Sequence, residues 1–505
     1  MTTICIIATI VVYLVAMLLV GLMYSNSNSD STDFYLGGRK MGPLVTAMSA
    51  EASDMSSWLL MGMPGLAYLS GIASPGWTAI GLGIGTWLNW LIVARRLRRY
   101  SAGLGAITVP QFLSLRFHDR RNILNALGAV IIIVFFIPYT ASGFAACGKL
   151  FNSLFGVNYM AAMIISALVI VGYTITGGFR AVTTTDLIQS IVMTLALVVV
   201  LGYGVTAAGR WDAVIANAQS LPGYLTMNHS YDPETGTATS YSLLSIVSTM
   251  AWGLGYFGMP HILLRFMAIE DEKKLVLSRR IASVWVVIAM TASIIIGVVG
   301  LGMTNAGVLE FLSGSSSETI IVRISSLIST HGVFAAIIAG LILAGILAAT
   351  MSTADSQMLA AASSVSQNIM QEFLHLKLSE KQSLRAARIT IVAISVIGVV
   401  LARDPDSNVF NIVSFAWAGF GGSFGAVVLC ALFWKRCNWQ GALAGMLSGG
   451  AMVFIWKYII APLGGVFGIY ELLPAFITSL VFIVVVSLLT EAPEQSIIHE
   501  FEASK

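Results

Sequence analysis

Long apolar stretches separated by short polar connections make up almost the whole chain. An apolar run of about 17 to 25 residues is the length that crosses a bilayer as a helix. Thirteen such spans are predicted near residues 3–23, 43–71, 75–94, 123–152, 158–177, 182–206, 240–263, 280–303, 331–367, 387–402, 408–434, 439–460 and 467–490. The pattern therefore predicts an all-α polytopic membrane protein. The second, fourth and ninth spans are long enough to be tilted, bent or broken.

Composition supports this class and excludes others. The 505 residues are 57% hydrophobic and 10% charged, whereas soluble domains carry about 25% charged residues. A net charge of +3 is too small to indicate nucleic-acid binding. The sequence indicates no obligate protein partner. The apolar composition makes the lipid bilayer the expected surrounding of the chain. The four cysteines lack metal-ligand spacing and are interpreted as small core residues.

The basic residues indicate how the spans are oriented. With the N-terminus outside and the C-terminus cytoplasmic, 22 of the 27 lysines and arginines fall inside, as the positive-inside rule requires. The five outside are Lys149, Arg210, Arg323, Arg403 and Lys457. Adding or removing one span would spoil this asymmetry. We therefore expect a multi-pass protein of the cell membrane with an odd number of spans.

Asp54 is an ionisable group near the start of the second span. A carboxylate in a bilayer is costly, so it persists only beside a cation, a water-filled cavity or another partner. No lysine or arginine lies between Lys40 and Arg95 to pair with it locally. A bound metal cation or a proton is the simplest expectation. The structural alternative is that Ser53 and Asp54 cap a helix end.

Two spans combine helix breakers with aromatic and hydroxyl residues, at 52–65 and 250–261. Unwound backbone at membrane depth is tolerated only where it lines a cavity or is buried in protein. Interrupted spans in corresponding halves indicate a transporter's binding site. In the second segment, Trp252, Tyr256 and Pro260 recur every four residues. The two segments belong to spans 2 and 7, which suggests two inverted five-helix units, spans 2–6 and 7–11.

A third polar cluster, Thr350 to Ser356, follows the small-residue run from Ala344 to Ala349. Small residues let helices approach closely in a membrane. The hydroxyls and carbonyls of the cluster are hard oxygen ligands, which suit an alkali cation better than zinc or copper. Sodium is the natural choice, and a proton remains open on chemistry alone.

Family motifs extend over nearly the whole chain. They are Asp33-Phe-Tyr-Leu-Gly-Gly-Arg39, Ala52-Ser-Asp-Met-Ser-Ser-Trp58, Gly177-Gly-Phe-Arg-Ala181 with Asp186, Trp252-Gly-Leu-Gly-Tyr-Phe-Gly-Met-Pro-His261, Met351-Ser-Thr353 and Ala416-Trp-Ala-Gly-Phe-Gly421. Together they resemble the sodium/solute symporter family, and within it most of all the sodium/proline symporters.

The resemblance implies a LeuT-type 5+5 inverted repeat with one extra N-terminal helix and two extra C-terminal helices. The implied segments are 1–42 (first helix and first cytoplasmic loop), 43–206 (first repeat), 207–239 (extracellular loop), 240–434 (second repeat), 435–490 (two C-terminal helices) and 491–505 (cytoplasmic tail). The implied activity is symport of L-proline into the cell by alternating access, with Na+ as the coupling ion.

The resemblance also implies residues for both solutes. Sodium would lie between the second and ninth spans, bound by Ala52, Met55 and Ala349 through carbonyls and by Ser352 and Thr353 through hydroxyls, with Asp54 and Ser56 in support. The implied proline-binding residues are Tyr139, Trp252, Tyr256 and Pro260, with Ser56 and Trp58. Some family members carry a second sodium, for which the candidates are Asp186, Asp355 and Ser356, with Ser352.

The chain departs from the family pattern at Ser57, where proline transporters commonly have glycine, and at Asp355, which adds a carboxylate to the hydroxyl cluster. Several candidates have plainer interpretations. Asp186 is also placed to cap a helix beside Thr183 to Thr185, and the aromatic candidates also fit ordinary packing. His261 and Arg265 are left outside the site, because Arg265 is expected to anchor the interface or a gate.

The alternatives to proline symport are a symporter of another solute, a sensor and an enzyme. Symport of another small solute, such as a different amino acid or an osmolyte, fits the same pattern. A sensor that binds its solute without moving it is a second class, which the lack of any signalling module argues against. An intramembrane enzyme is not expected, because no paired aspartates, zinc-site histidines or nucleophile elbow are arranged for it.

Overall fold

The structure is a computed structural model that describes residues 2–24 and 30–504. Most of this length is helical, and the α-helices are numbered in chain order. They are α1 (Thr2–Tyr24), α2 (Ser31–Leu36), α3 (Pro43–Asp54), α4 (Met63–Ser70), α5 (Ala73–Leu88), α6 (Ala94–Gly103), α7 (Val109–Arg116), α8 (Ile123–Phe155), α9 (Tyr159–Ala207), α10 (Arg210–Ser220), α11 (Leu243–Met250), α12 (Pro260–Ala268), α13 (Leu275–Asn305), α14 (Ile320–Ser329), α15 (Val333–Ser363), α16 (Glu380–Leu401), α17 (Val409–Phe420), α18 (Ala426–Phe433), α19 (Trp439–Ile455), α20 (Leu472–Leu489) and α21 (Gln495–Ala503).

Shorter helical turns connect or interrupt these helices. Turns of 3-10 helix cover Gly37–Arg39, Ala251–Gly258, Glu272–Lys274, Gly314–Thr319, Ala461–Leu463 and Gly465–Phe467. Turns of π-helix cover Trp58–Gly62, Asn89–Val93, Ser364–Phe373, Gly421–Gly425 and Trp456–Ile460. Two strands, β1 (His229–Asp232) and β2 (Thr237–Ser240), form an antiparallel hairpin.

Within the described residues, ten helical segments are long and apolar enough to cross a membrane. They are Thr2–Tyr24, Ala73–Gly103, Ile123–Phe155, Tyr159–Ala207, Glu272–Asn305, Val333–Phe373, Glu380–Leu401, Val409–Phe433, Trp439–Leu463 and Leu472–Leu489. The prediction of an all-α polytopic membrane protein is confirmed. The predicted spans are matched closely at α1 and α17–α18, whereas the third is extended by α6 to Gly103.

The difference between ten segments and thirteen predicted spans has local causes. The fifth and sixth spans are joined in α9, which is kinked at Gly178 (φ 60°, ψ −165°), a conformation that favours glycine. The second span is divided into α3 and α4, and the seventh into α11 and α12. Each of these four helices is too short to cross a membrane alone. The fourth span corresponds to α8, which continues through Pro138 without a break. The count of thirteen and the repeat boundaries stay predictions.

The hairpin and the arginine-rich helix α6 lie at opposite ends of the bundle. The amide of Ile72, just before α5, donates to the Tyr224 carbonyl near the hairpin at 2.9 Å. From there α5 continues through a π-turn into α6 at the far end. We call these ends the hairpin face and the arginine face.

Candidate ion and substrate site

The first helix break follows Asp54, the last residue of α3. Met55 leaves the helical region (φ −77°, ψ 67°), although its amide still donates to the Glu51 carbonyl at 2.8 Å. Ser57 has φ −51° and ψ −22°, an ordinary right-handed conformation open to any residue. The serine that replaces the family's glycine therefore causes no backbone strain here.

Four of the five predicted sodium ligands form one hydrogen-bonded group between α3 and α15. The Ser352 hydroxyl donates to the Ala52 carbonyl at 2.7 Å, and it lies 3.2 Å from the Ala349 carbonyl. The Thr353 hydroxyl also lies 3.2 Å from the Ala349 carbonyl. Met55, the fifth, is fully buried at the break itself. The group offers oxygen donors alone, as an alkali cation prefers.

The Asp54 carboxylate links the two helix breaks. It is fully buried and accepts a hydrogen bond from the Tyr256 hydroxyl, while its Oδ1 has no partner among the described residues. Its main-chain carbonyl, freed by the break, accepts the Trp58 indole N–H at 3.1 Å and the Tyr139 hydroxyl at 3.4 Å. The carboxylate thus contacts the other break rather than capping a helix.

An aromatic cluster, defined as Trp58, Tyr139, Trp252, Tyr256 and Trp417, surrounds this carboxylate. The rings of Tyr256 and Trp417 meet edge to face with centroids 4.9 Å apart, and Trp252 lies 6.0 Å from Trp58. The Trp417 N–H donates to the Tyr139 hydroxyl at 3.3 Å. All five side chains are buried. The arrangement offers apolar faces beside one carboxylate, which suits a small ring with charged groups.

A gap too small to admit a water molecule lies where the break after α3 meets α8 and α15. Ser56 and Tyr139 line it on the substrate side, and Thr353 lines it on the ion side. The Ser56 hydroxyl accepts the Trp58 amide at 3.5 Å. Pro260 begins α12, one turn beyond Tyr256. Of the predicted substrate and ion residues, the structure thus places Ser56, Tyr139 and Thr353 around one gap.

The second-sodium candidates lie around Arg265. Its Nη2 is 3.2 Å from Asp186 Oδ2 and 2.5 Å from the Ser356 hydroxyl. Ser356 donates to Asp355 at 3.2 Å. The Asp186 carboxylate also accepts the Ser49 hydroxyl at 2.6 Å, and it lies inside α9 rather than at a helix end, so it has no helix start to cap. Arg265 is 1% exposed, which excludes the predicted anchoring at the interface.

Both ends of the site are closed by polar contacts. Towards the hairpin face, Lys149 and Glu318 form a buried ion pair of 2.9 Å. The Glu318 carboxylate also accepts the amides of Val409 and Phe410 at 3.4 and 3.3 Å, at the start of α17. Towards the arginine face, the Arg39 guanidinium donates to the Met267 carbonyl, within α12, at 2.7 Å.

Sequence reasoning gave no role to several residues that contact the site. Trp417 lay within a recognised motif, and Arg265 was visible as a lone basic residue in an apolar helix. Tyr173, whose hydroxyl donates to Asp355 at 2.6 Å, and Ser49 gave no signal, because hydroxyls on apolar helices are common.

Known proteins similar to this chain are transporters. The model of the sodium:solute symporter family matches residues 34–449. The sodium/proline symporter of Haemophilus influenzae is 40% identical, covering 98% of this chain and 97% of the relative. The high-affinity proline transporter PutP of Bacillus subtilis is also 40% identical, covering 96% and 98%. The osmoregulated proline transporter OpuE of the same organism is 39% identical, covering 97% and 96%.

Solved structures show the same fold. A Na+-coupled sialic acid symporter in a substrate-bound, outward-open state superposes with a TM-score of 0.79 at 19% identity, covering 97% of this chain and 99% of the other. MhsT in complex with L-phenylalanine gives a TM-score of 0.55 at 13% identity, covering 89% and 98%. The fold of this chain is therefore the LeuT type shared by sodium-coupled symporters.

Proposed function

The chain belongs to the sodium:solute symporter family, and we propose that it couples inward sodium movement to the uptake of L-proline. The observation that carries the proposal is the meeting of two helix breaks at Asp54 and Tyr256, between an oxygen-only ligand group and an aromatic cluster. The proline transporters named above, at 39–40% identity over nearly the full length, support the choice of substrate.

Sodium occupies the group formed by α3 and α15 in this proposal. The carbonyls of Ala52, Met55 and Ala349 and the hydroxyls of Ser352 and Thr353 coordinate the ion. Since these hydroxyls now donate to carbonyls of the same group, each rotates its hydrogen away to present a lone pair. Asp54 contributes negative charge without direct coordination.

L-Proline occupies the space beside the aromatic cluster. Its ring packs against Trp252, Tyr256 and Tyr139, and Trp58 and Pro260 complete the apolar wall. The Ser56 hydroxyl, which accepts a long contact from the Trp58 amide and lies beside the Tyr139 hydroxyl, is placed to bind a polar group of the amino acid.

Coupling follows from the shared backbone of the first break. Ala52 and Met55 belong to the ion site, and Ser56 and Trp58, only a few residues further on, belong to the substrate site. An ion that fixes the break against α15 also fixes the substrate residues, so each solute raises the affinity for the other by the same factor. Closure at one face and opening at the other then release both solutes inside.

We place the N-terminus outside and the C-terminus in the cytoplasm of the cell membrane, from the distribution of basic residues. The hairpin face is then external and the arginine face cytoplasmic. One sodium suffices for the proposal. A second ion bound by Asp186, Asp355 and Ser356 has to displace the Arg265 guanidinium from Ser356 and Asp186.

The test is uptake of radiolabelled L-proline into proteoliposomes under an inward sodium gradient, with choline replacement. We expect accumulation that requires sodium and falls about 100-fold in Asp54→Asn, since a charge-assisted hydrogen bond and the ion's negative neighbour are lost together. Asp406→Asn, at an exposed position between α16 and α17, is the matched control and is expected to transport normally.

Two other results would replace the proposal. Sodium-driven uptake of a different amino acid or osmolyte, without proline uptake, keeps the symporter and overturns the substrate. Solute binding without accumulation under any cation gradient favours the sensor instead.

A further inference from the structure

The helix α21 places one aromatic side chain inside the arginine face. Phe501 is 2% exposed, and its ring lies against two guanidinium groups. The Cζ atom of Arg96 is 4.5 Å from the ring centroid, and that of Arg116 is 4.9 Å from it. Nη2 of Arg96 also donates to the Phe501 carbonyl at 3.5 Å. Cation–π contacts are favourable, and more so where water is excluded. Phe501 therefore joins α6, which carries Arg96, to α7, which carries Arg116.

Arg116 is a buried cation that depends on aromatic neighbours. It is fully buried, and its Nε donates to the Ala431 carbonyl of α18 at 2.9 Å. Its Nη1 and Nη2 have no hydrogen-bond partner among the described residues. The guanidinium also lies over the rings of Tyr100 and Phe117, at 5.6 and 5.0 Å. A buried charge is costly unless other groups replace the water around it. The Phe501 ring is therefore part of what makes this burial tolerable.

Other contacts of α21 and the segment before it are more peripheral. Nε2 of His118 lies 3.0 Å from the Glu500 carboxylate, and both side chains are more than a third exposed or close to it. Such ion pairs contribute little. The Arg436 guanidinium donates to the Thr490 carbonyl at 2.8 Å, before α21 begins. Phe501 is thus the residue through which α21 acts on the helices of the arginine face.

The helices that meet at Phe501 lead to different walls of the substrate site. α6 packs against α12, which begins at Pro260 directly after the second break. α7 packs against α8, which carries Tyr139. Alternating access moves one group of helices against another around a central site. Opening of the arginine face therefore moves α6 and α12 away from α7 and α8, and the two guanidinium groups can no longer share one ring.

We propose that Phe501 is a positioning residue for transport, which stabilises the state whose arginine face is closed and loses one of its two arginine contacts when that face opens. The inference rests on the proposed transport by alternating access. It gives α21, which lies outside both predicted repeats, a part in the transport cycle.

The test compares Phe501→Ala, which removes the ring, with Phe501→Tyr, which retains it. Arg96→Met removes one guanidinium group and keeps an apolar chain. The double variant of Arg96→Met and Phe501→Ala shows whether the two residues act through one contact. Phe482→Ala, at an exposed position on α20, is the matched control for the loss of a phenyl ring.

Two measurements are made on each variant. The first is uptake of radiolabelled L-proline into right-side-out membrane vesicles, from which the half-saturating external concentrations of sodium and of proline are obtained. The second is backbone hydrogen exchange in α6, α7 and α12 of the purified protein, in sodium chloride and in choline chloride.

A smaller population of the state with a closed arginine face lowers the apparent affinity for both external solutes by the same factor. We expect Phe501→Ala to raise both half-saturating concentrations about threefold and to accelerate amide exchange in α6 and α12. Phe501→Tyr and Phe482→Ala should match the unmodified protein. Arg96→Met should reproduce the effect, and the double variant should resemble Arg96→Met alone.

Unchanged half-saturating concentrations in Phe501→Ala overturn the proposal, even if the maximal rate falls, because a merely structural role changes only the amount of active protein. Fully additive effects in the double variant also overturn it. In a protein that moves no proline, hydrogen exchange still decides: faster exchange in α6 and α12 of Phe501→Ala supports the role of Phe501 while the proposed substrate falls, and unchanged exchange overturns that role.

Discussion

The two helix breaks meet at Asp54 and Tyr256 but are built in opposite ways. The first is short and polar: after Asp54, two residues, Met55 and Ser56, lie outside the helix before the chain turns into a helix again at Ser57. The second is long and apolar, an eight-residue 3-10 segment from Ala251 to Gly258 with three glycines.

Their neighbours differ accordingly. Hydroxyl and indole groups of other residues reach the carbonyls of the first break, at Ala52 and Asp54. The second break instead lies backbone to backbone against α5, where a Cβ on Gly253 would come within 2.1 Å of the Gly81 carbonyl. The first break thus presents carbonyl oxygens as possible ion ligands. The glycines of the second break determine how closely the aromatic cluster approaches these oxygens.

The largest expected effect comes from separating the second break from α5. In Gly85→Ala, the new methyl group would lie 2.4 Å from the Gly253 carbonyl oxygen, a backbone atom that cannot rotate away. We expect a loss of about 3 kcal/mol or more of stability and no measurable proline uptake. The measurement is the thermal unfolding midpoint of the purified protein together with vesicle uptake.

Gly83→Ala is the matched control for that change. Gly83 lies on the same helix, and no other atom comes within 4 Å of the place that an alanine Cβ would take there, so uptake and stability should remain normal. Equal damage from both substitutions would show that α5 tolerates no alanine for reasons unrelated to the break.

The next effect concerns the bond between the two breaks. Tyr256→Phe keeps the ring against Trp417 and removes only the hydroxyl that donates to Asp54. A hydrogen bond to a charged group contributes about 1.5–3 kcal/mol, so we expect the ratio kcat/KM for proline to fall about 10-fold or more, with the sodium requirement retained.

Tyr224→Phe separates this effect from a general loss of buried hydroxyls. Tyr224 is equally buried, but its hydroxyl donates to the neutral Ala67 carbonyl at 2.8 Å, near the hairpin face. Transport at normal sodium and proline concentrations should survive there. If the two variants behave alike, the Asp54–Tyr256 bond is not special to transport.

The comparison of the breaks also explains what the sequence could predict. The pattern of breakers and polar residues located both breaks and the cluster from Thr350 to Ser356, because polar residues at membrane depth have to face protein or a cavity rather than lipid. The family motifs supplied the predicted sodium ligands, and the structure brings four of these residues, Ala52, Ala349, Ser352 and Thr353, into contact.

What the sequence did not predict depends on contacts between distant segments. Examples are the approach of Gly253 to Gly81, the hydrogen bond from Trp417 to Tyr139 and the ion pair of Arg265 with Asp186. The two residues of each pair are 79 to 278 positions apart in the sequence. A single sequence carries no record of such pairs. Arg265 was expected to anchor the interface or a gate; its burial beside Asp186 contradicts the interface alternative, and the gate stays a prediction.

A smaller effect is expected at the polar break's ligand group. Ser352→Ala removes one hydroxyl ligand and leaves the Ala52 carbonyl without its donor. The sodium concentration for half-maximal uptake should rise about fivefold, as expected from a loss of about 1 kcal/mol, while the KM for proline at saturating sodium stays constant. Ser363→Ala, whose hydroxyl bonds only within the same helix at Ala360, is the control. A change confined to the proline KM would contradict this assignment.

The smallest effect is expected at Trp417, in the aromatic cluster. Trp417→Phe keeps an apolar ring beside Tyr256 but removes the N–H that holds the Tyr139 hydroxyl at 3.3 Å. A neutral hydrogen bond contributes about 0.5–1.5 kcal/mol, so the KM for proline should rise about threefold without a change in sodium dependence. Trp87→Phe, at an exposed position on α5, should leave both unchanged. If Trp417→Phe also shifts the sodium dependence, the contacts from Trp417 through Tyr139 to the Asp54 carbonyl also determine the geometry of the ion site.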